Sequence, residues 1–522
     1  MATEEDQTDI KVDKLTLEDV IQSCGEFNRF QYINYFFLNF IPVVSGMITY
    51  YYVYGVADIH YQCRQSSVDN STQNPDQCQC PLKQWTYDRS IFGHTFTEDG
   101  NFICSRRFLK SWVATVYQIG GITVLITGRF SDKIGRRKMI QILTIGLLLT
   151  TSVTQLVMQF APLNFNVIFG LLLLNQFLSA IDTFSLVFLL LMELTTSRHT
   201  SLAGNLAMVS FSVGEMVVTL FAYVSRHWLL LKWLITSLIA LSIPYLYFVP
   251  ESPYWLYSNH IYIQLEHQLR RIAQMNHRPE LVWFNQYQKL IAKPRPLITI
   301  RTVTKRSILK YLPKIFLSCF IGVLAMALYI KISYGLSAMD SINPYVNIVI
   351  GAIVESIGYI SSSIMITTVA GRKYSLILYT LITAICVVIL PFLSLKHSSL
   401  LTVMLIIVAQ LGKLTISGAL SISWIYVPEL FPVGIRATVN GLFVFFTRFG
   451  AIAAPIIDTS LSEKYLSITT YIYAALAILM ILLIFVFLPE TRNRSFEDDF
   501  PIKRSSMTPV SVQQTTEYDI CS

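Results

Sequence analysis

Five ionisable side chains stand within runs that are otherwise long and apolar enough to cross a bilayer: Asp182, Glu215, Glu355, Lys413 and Arg448. A charge at membrane depth costs kilocalories unless it meets a partner or a water-filled cavity, so such residues are functional candidates first. A guanidinium such as that of Arg448 can hold a solute carboxylate by two parallel hydrogen bonds; its bland alternative is a permanent pair with Glu355 that only ties helices together. Lys413 is a second cation of this kind, and Asp182, Glu215 and Glu355 are the candidates for ion coupling. All eight histidines (His60, His94, His199, His227, His260, His267, His277 and His397) fall in loops, so proton coupling would have to use the carboxylates. For the cationic end of a solute, ring faces supply cation–π attraction. Phe184 and Phe188 lie one helical turn apart, and Tyr117, Tyr334 and Tyr359 are further candidates, while for any single ring packing is the plainer role.

The elements that position these groups are membrane helices. Of 522 residues, 53% are hydrophobic and 14% charged, against roughly 25% charged in an average soluble domain, which excludes a large soluble enzyme. Taking about 20 apolar residues per crossing, the sequence predicts twelve spans near 31–56, 111–130, 139–160, 163–193, 201–225, 228–249, 312–332, 343–370, 374–395, 398–426, 438–460 and 465–488. The fold class is an all-α membrane protein. The net charge of +8 resides in short loops rather than in a basic stripe with exposed aromatics, which points to inner-leaflet headgroups and not to nucleic acid. Residues 131–138 carry Lys133, Arg136, Arg137 and Lys138 while 161–164 carry no base, so the positive-inside rule places both termini in the cytoplasm. Residues 1–30 form an acidic cytoplasmic segment in which no cleaved signal is expected, and Cys521 stands too near the end for prenylation.

Two long loops interrupt the rhythm. Loop 57–110 holds Cys63, Cys78, Cys80 and Cys104 and the sequon at Asn70; on the outer side these imply two disulfides, with three connectivities open, and a glycan on a folded cap. Residues 250–311 carry ten bases against three acids and read as a solvated cytoplasmic linker between bundle 31–249 and bundle 312–488; the polar tail 489–522 is expected to be disordered.

Short motifs recur at matching places. Gly135-Arg136-Arg137 answers to Gly371-Arg372-Lys373, Glu193 to Glu429, and Pro250-Glu251-Ser252 to Pro489-Glu490-Thr491, at offsets of 236, 236 and 239. Six helices per half make this a parallel repeat, an arrangement that encloses a midplane cavity and supports alternating access.

With these motifs in view, Gly128-Arg129-Phe130-Ser131-Asp132-Lys133-Ile134-Gly135-Arg136-Arg137 resembles the loop 2–3 signature of the major facilitator superfamily. The Cys-bearing first loop with Trp85-Thr86-Tyr87-Asp88, Pro250-Glu251-Ser252-Pro253-Tyr254-Trp255-Leu256, and Pro428-Glu429-Leu430-Phe431-Pro432 with Arg436 resemble its organic cation, anion and zwitterion transporters. Tyr254, Thr200 and Asn493 depart from that pattern. The resemblance implies a major facilitator fold of two six-helix bundles and a cytoplasmic gate formed by Gly128, Asp132, Gly135, Arg136, Arg137, Glu193, Glu251, Glu429, Arg436 and Glu490. In this reading the glycines allow close approach, Arg136 and Arg137 reach carboxylates on the facing bundle, and Glu429 pairs with Arg436. It also implies that Arg448 sits where anion and zwitterion carriers have Arg and cation carriers Asp, and that Gly412-Lys413-Leu414-Thr415-Ile416-Ser417 is similar to the carnitine-type branch.

The expected function is secondary transport of small organic ions at the plasma membrane, foremost carboxylate-bearing zwitterions, by a monomer that needs no cofactor and no metal and takes a co-transported or exchanged ion. Organic anion or cation transport and a non-transporting substrate sensor are the alternatives. No Walker pattern, no T-V-G-Y-G filter and no clustered nucleophile and base occur, which disfavours a pump, a channel and an enzyme.

Overall fold

A computed structural model describes residues 15–57, 59–63, 85–181, 183–196, 199–292, 305–337, 343–394, 399–431, 433–460 and 466–491. Twelve helices are long and apolar enough to cross a membrane, in register with the spans expected from sequence: α1 (Arg29–Gly55), α2 (Leu109–Ile134), α3 (Arg136–Phe160), α4 (Phe165–Glu193), α5 (Thr200–Ser225), α6 (Trp228–Leu246), α7 (Tyr311–Ser333), α8 (Pro344–Thr367), α9 (Gly371–Leu393), α10 (Leu400–Glu429), α11 (Val439–Ile457) and α12 (Ile468–Phe487). Their outward faces expose side chains such as Leu149, Phe316 and Leu482, which suits lipid and would be a liability in water.

α1–α6 and α7–α12 form the two halves. Across their junction α5 packs on α8 and α2 on α11. Small hydroxyl residues let helices approach across this junction: the Ser212 and Ser356 hydroxyls of α5 and α8 are 2.6 Å apart, and Ser421 of α10 donates to Asn205 Oδ1 of α5 at 2.5 Å. Several crossings are broken: α4 leaves helical geometry between Ser179 and Phe184, and α2 narrows to a 3-10 turn over Gly121–Thr123.

The stretch 250–311 differs from the solvated linker expected. Residues Pro253–Ser258, Tyr262–Met275 and Glu280–Ala292 are helices. The second places Leu265, Leu269, Ile272 and Ala273 on one buried face while its bases point away, the amphipathic pattern that net charge alone conceals. Trp283, Tyr287 and Leu290 of the third are buried in the same core as Leu17, Val20 and Ile21 of an N-terminal helix, Leu17–Ser23. Asn276 fastens the two segments, accepting from the Phe30 N–H at 3.0 Å and donating to the Cys24 and Gly25 carbonyls at 3.2 and 3.1 Å.

In the loop after α1, Tyr61–Cys63 and Trp85–Tyr87 pair as an antiparallel hairpin. A short helix, Phe96–Gly100, sets Phe96 beside Phe165, Phe169 and Trp228. Cys104 opens a 3-10 turn, with Sγ 3.5 Å from the Tyr61 hydroxyl. Asn70, Cys78, Cys80 and the side chain of Cys63 lie outside the described residues.

Candidate functional site

The buried charges form two separate centres. In the first, the Lys413 ammonium on α10 lies 2.7 Å from Glu215 Oε1 on α5 and 3.2 Å from Glu355 Oε2 on α8, all three side chains 1% exposed or less. Glu355 Oε1 also accepts from the Tyr329 and Tyr359 hydroxyls at 2.8 and 2.7 Å, and the Tyr50 hydroxyl is 3.2 Å from that of Tyr329. Glu215 and Tyr50 belong to the first half and the others to the second, so this network bridges the bundles. Two carboxylates and one ammonium leave a formal charge of −1 when all are ionised. Glu355 therefore engages Lys413, and the alternative of a permanent pair with Arg448 is overturned.

The second centre surrounds Arg448 of α11. Its Nη1 donates to Gln118 Oε1 of α2 at 3.2 Å, no carboxylate pairs with it among the described residues, and its buried Nε has no partner. It faces a cavity walled by α1, α2, α3, α4 and α6, with Ser45, Tyr117, Thr144, Ser179, Thr183 and Ser242 among its polar lining. The break in α4 supplies part of this wall; irregular backbone at membrane depth is tolerated where it lines a cavity. Gly121 leaves room for this group: a Cβ at that position would lie 2.8 Å from Arg448 Nε and would displace the guanidinium. Tyr117 lines the cavity and accepts from the Thr49 hydroxyl at 2.8 Å. Asp182 and the side chain of Tyr334 lie outside the described residues.

An aromatic cluster follows Thr183 down α4. The rings of Phe184 and Phe188 are 6.1 Å apart, and the Trp424 indole of α10 sits 6.3 and 5.5 Å from them, with Phe211 and Phe443 alongside. Sequence reasoning missed Trp424, Tyr329, Tyr50 and Gln118, whose types are common in membrane helices and carry no local signal. It also missed Lys232, which did carry one: a base inside the sixth apolar run.

The motifs expected to gate instead build one device twice. In the first half, Glu251 accepts from the backbone N–H groups of Arg136 (2.8 Å) and Arg137 (3.1 Å), capping α3; the Arg136 guanidinium reaches Asp132 at 2.5 Å and Glu193 at 3.4 Å. In the second, Glu490 accepts from the N–H groups of Arg372 (3.0 Å) and Lys373 (2.9 Å), capping α9, while Arg372 pairs with Glu429 at 3.0 Å. Burial raises the Glu251 carboxyl above its usual range, opposed by the backbone N–H bonds. Three expectations are corrected. Arg136 and Arg137 bond within their own half, where Glu193 and Asp132 supply the carboxylates for Arg136 and the Tyr247 carbonyl accepts from Arg137. Glu429 pairs with Arg372, and the Arg436 side chain lies outside the described residues. Gly128 mediates no close approach, since a Cβ there would meet nothing within 4 Å.

Residues 38–499 match the family model described as "Sugar (and other) transporter". The chain is 25% identical over 434 residues to the human "Steroid transmembrane transporter SLC22A24", covering 81% of this chain and 75% of the relative. It is 26% identical over 547 residues to human "Solute carrier family 22 member 13", covering 96% of each. Among solved structures it resembles the proton:xylose symporter XylE bound to 6-bromo-6-deoxy-D-glucose, with a TM-score of 0.65 at 13% identity over 88% of this chain and 97% of that one.

Proposed function

The chain belongs to the sugar (and other) transporter family, and on that premise we propose that it moves small organic ions bearing a carboxylate, zwitterions of the carnitine type foremost. At the coarser level it is a secondary transporter of small organic solutes with the twelve-helix major facilitator fold and homologues in solute carrier family 22, and it is not an enzyme. The observation that carries the finer reading is Arg448: a guanidinium at a polar cavity, with a buried Nε and no carboxylate of the protein in contact among the described residues. Such a group favours a solute carboxylate through charge-assisted, bidentate bonding. The Glu215–Lys413–Glu355 network carries the opposite formal sign, and the rings of Phe184, Phe188 and Trp424 offer π faces, so a solute with both charges has support at both ends. An organic anion is the second reading, favoured by one fact: Lys413, Tyr329 and Tyr359 already engage both oxygens of Glu355. The proposal includes a plasma-membrane location, cytoplasmic termini, outer-loop disulfides and a glycan at Asn70, and exchange or co-transport of an ion.

The test is uptake of labelled carnitine into vesicles holding the purified chain, with organic anions and cations as competitors. Saturable accumulation that falls about tenfold or more in Arg448→Gln is expected, the scale of one lost charge-assisted contact. Anion accumulation with carnitine inert selects the second reading. Binding without accumulation of any class makes the protein a sensor, and carnitine uptake unaltered in Arg448→Gln removes the assignment.

A further inference from the structure

One cation in the first half belongs to neither centre. Lys232, in the second turn of α6, is 4% exposed. Its ammonium donates to Asn175 Oδ1 at 2.6 Å and Gln176 Oε1 at 3.1 Å on α4, and it lies 4.1 Å from the centroid of the Tyr51 ring on α1. Among the described residues, the groups its ammonium bonds or stacks on are neutral. Asp99, on the loop beside the start of α6, is engaged by the Trp228 indole and by His94, each at 2.8 Å. Amide oxygens solvate an ammonium without cancelling its charge, and an uncompensated charge in a low-dielectric interior is far costlier than a paired one. Lys413 illustrates the contrast, with two carboxylates around one ammonium.

Two independent features mark the place as a binding site. A small cavity lies beside Lys232, with Thr151, Gln155 and Thr236 in its wall, and it adjoins the Arg448 cavity, with which it shares Ile48, Ser179 and Ile239. The Tyr51 hydroxyl, on a fully buried side chain in the same wall, has no hydrogen-bond partner among the described residues. Three polar side chains in the wall, one cation with no counter-charge in contact among the described residues and one idle donor suit an anion.

We propose that Lys232 holds a small monovalent anion within the first bundle, beside the solute cavity but distinct from the Arg448 centre. The shared chemistry is a compact negative charge, supplied by a free halide or by a small carboxylate. The reading does not depend on Arg448 binding the solute.

The test is thermal unfolding of the purified full-length protein in gluconate, a bulky anion, with chloride or acetate then added. In Arg448→Gln, which removes the carboxylate-binding group of the solute cavity, a saturable rise of about 1–3 °C is expected, lost when Lys232→Gln is added. A rise with chloride alone identifies a halide site; a rise with acetate alone identifies a carboxylate site. No rise with either anion in Arg448→Gln overturns the proposal, as does a rise there that survives the added Lys232→Gln. If Lys232→Gln does not fold, binding of radiolabelled chloride and acetate to Tyr51→Phe against wild type takes its place, with weaker binding of whichever ion binds expected and equal affinity overturning the inference. Because the readout is binding, its failure is separate from any failure of carnitine uptake.

Discussion

At the scale of single residues, Lys413 governs the electrostatics of the bundle junction. It faces Glu215 from one half and Glu355 from the other, with no solvent to screen the group. Removing one partner of such a set leaves uncompensated buried charge and costs about 3–5 kcal/mol, whereas replacing the whole set with neutral groups is often tolerated. Lys413→Met is therefore expected to lower the unfolding temperature and yield sharply, and Lys413→Met combined with Glu215→Gln and Glu355→Gln to recover most of the loss. A Lys413→Met protein as stable as wild type would mean that the acids do not rely on the ammonium. All three residues were legible in the sequence, because a charge in an apolar run is conspicuous. Their grouping was not: they are separated by more than a hundred residues or lie on different helices, and no spacing rule relates such positions.

At the scale of elements, the twin caps on α3 and α9 are what the motif repeat encodes. Each helix begins after a glycine with positive φ, Gly135 at 102° and Gly371 at 67°, and each start is covered by a carboxylate from beyond the last helix of its own half. That conformation strains any residue with a Cβ, and a Cβ would also lie 2.5 Å from Glu251 Oε2 or 2.7 Å from Glu490 Cδ. The carboxylates satisfy N–H groups that an α-helix leaves open and sit at the positive end of its dipole. Glu251→Gln and Glu490→Gln should each cost about 1 kcal/mol, with effects that add in the double variant because the two caps bond different groups in different halves. Unfolding in denaturant measures both, and marked non-additivity would show that the caps communicate. The sequence located the motifs but misassigned Arg136 and Arg137, since spacing cannot say whether a guanidinium turns toward its own bundle or the other.

At the scale of the whole molecule, the segment between the halves is a folded body joined to the N-terminal helix. Trp283 is 1% exposed and shares a core with Leu17, Val20 and Ile21, so Trp283→Ala should cost about 3–5 kcal/mol locally. The expected signs are faster proteolysis within Glu280–Ala292 and release of the Leu17–Ser23 helix, with the twelve crossings intact. Unchanged protease resistance would mean that this contact does not hold the two segments together. The module joins the first half's N-terminal segment to the connection that leads into the second half.

Length, composition and the period of apolar runs determined the number of crossings and the two-fold repeat, because lipid permits few ways to hide a backbone and each leaves a long, local imprint. The same locality flagged Glu215, Glu355, Lys413 and Arg448 as functional candidates. What only the tertiary structure decided was partnership: that Glu355 meets Lys413 and not Arg448, that the gate motifs close caps within each half, that 253–292 is a packed body, and that Lys232 has no counter-charge in contact among the described residues. Partnership depends on how helices far apart in the chain are rotated against one another. A few tens of degrees about a helix axis carry a side chain from lipid to cavity, and no run of neighbouring residues records that angle.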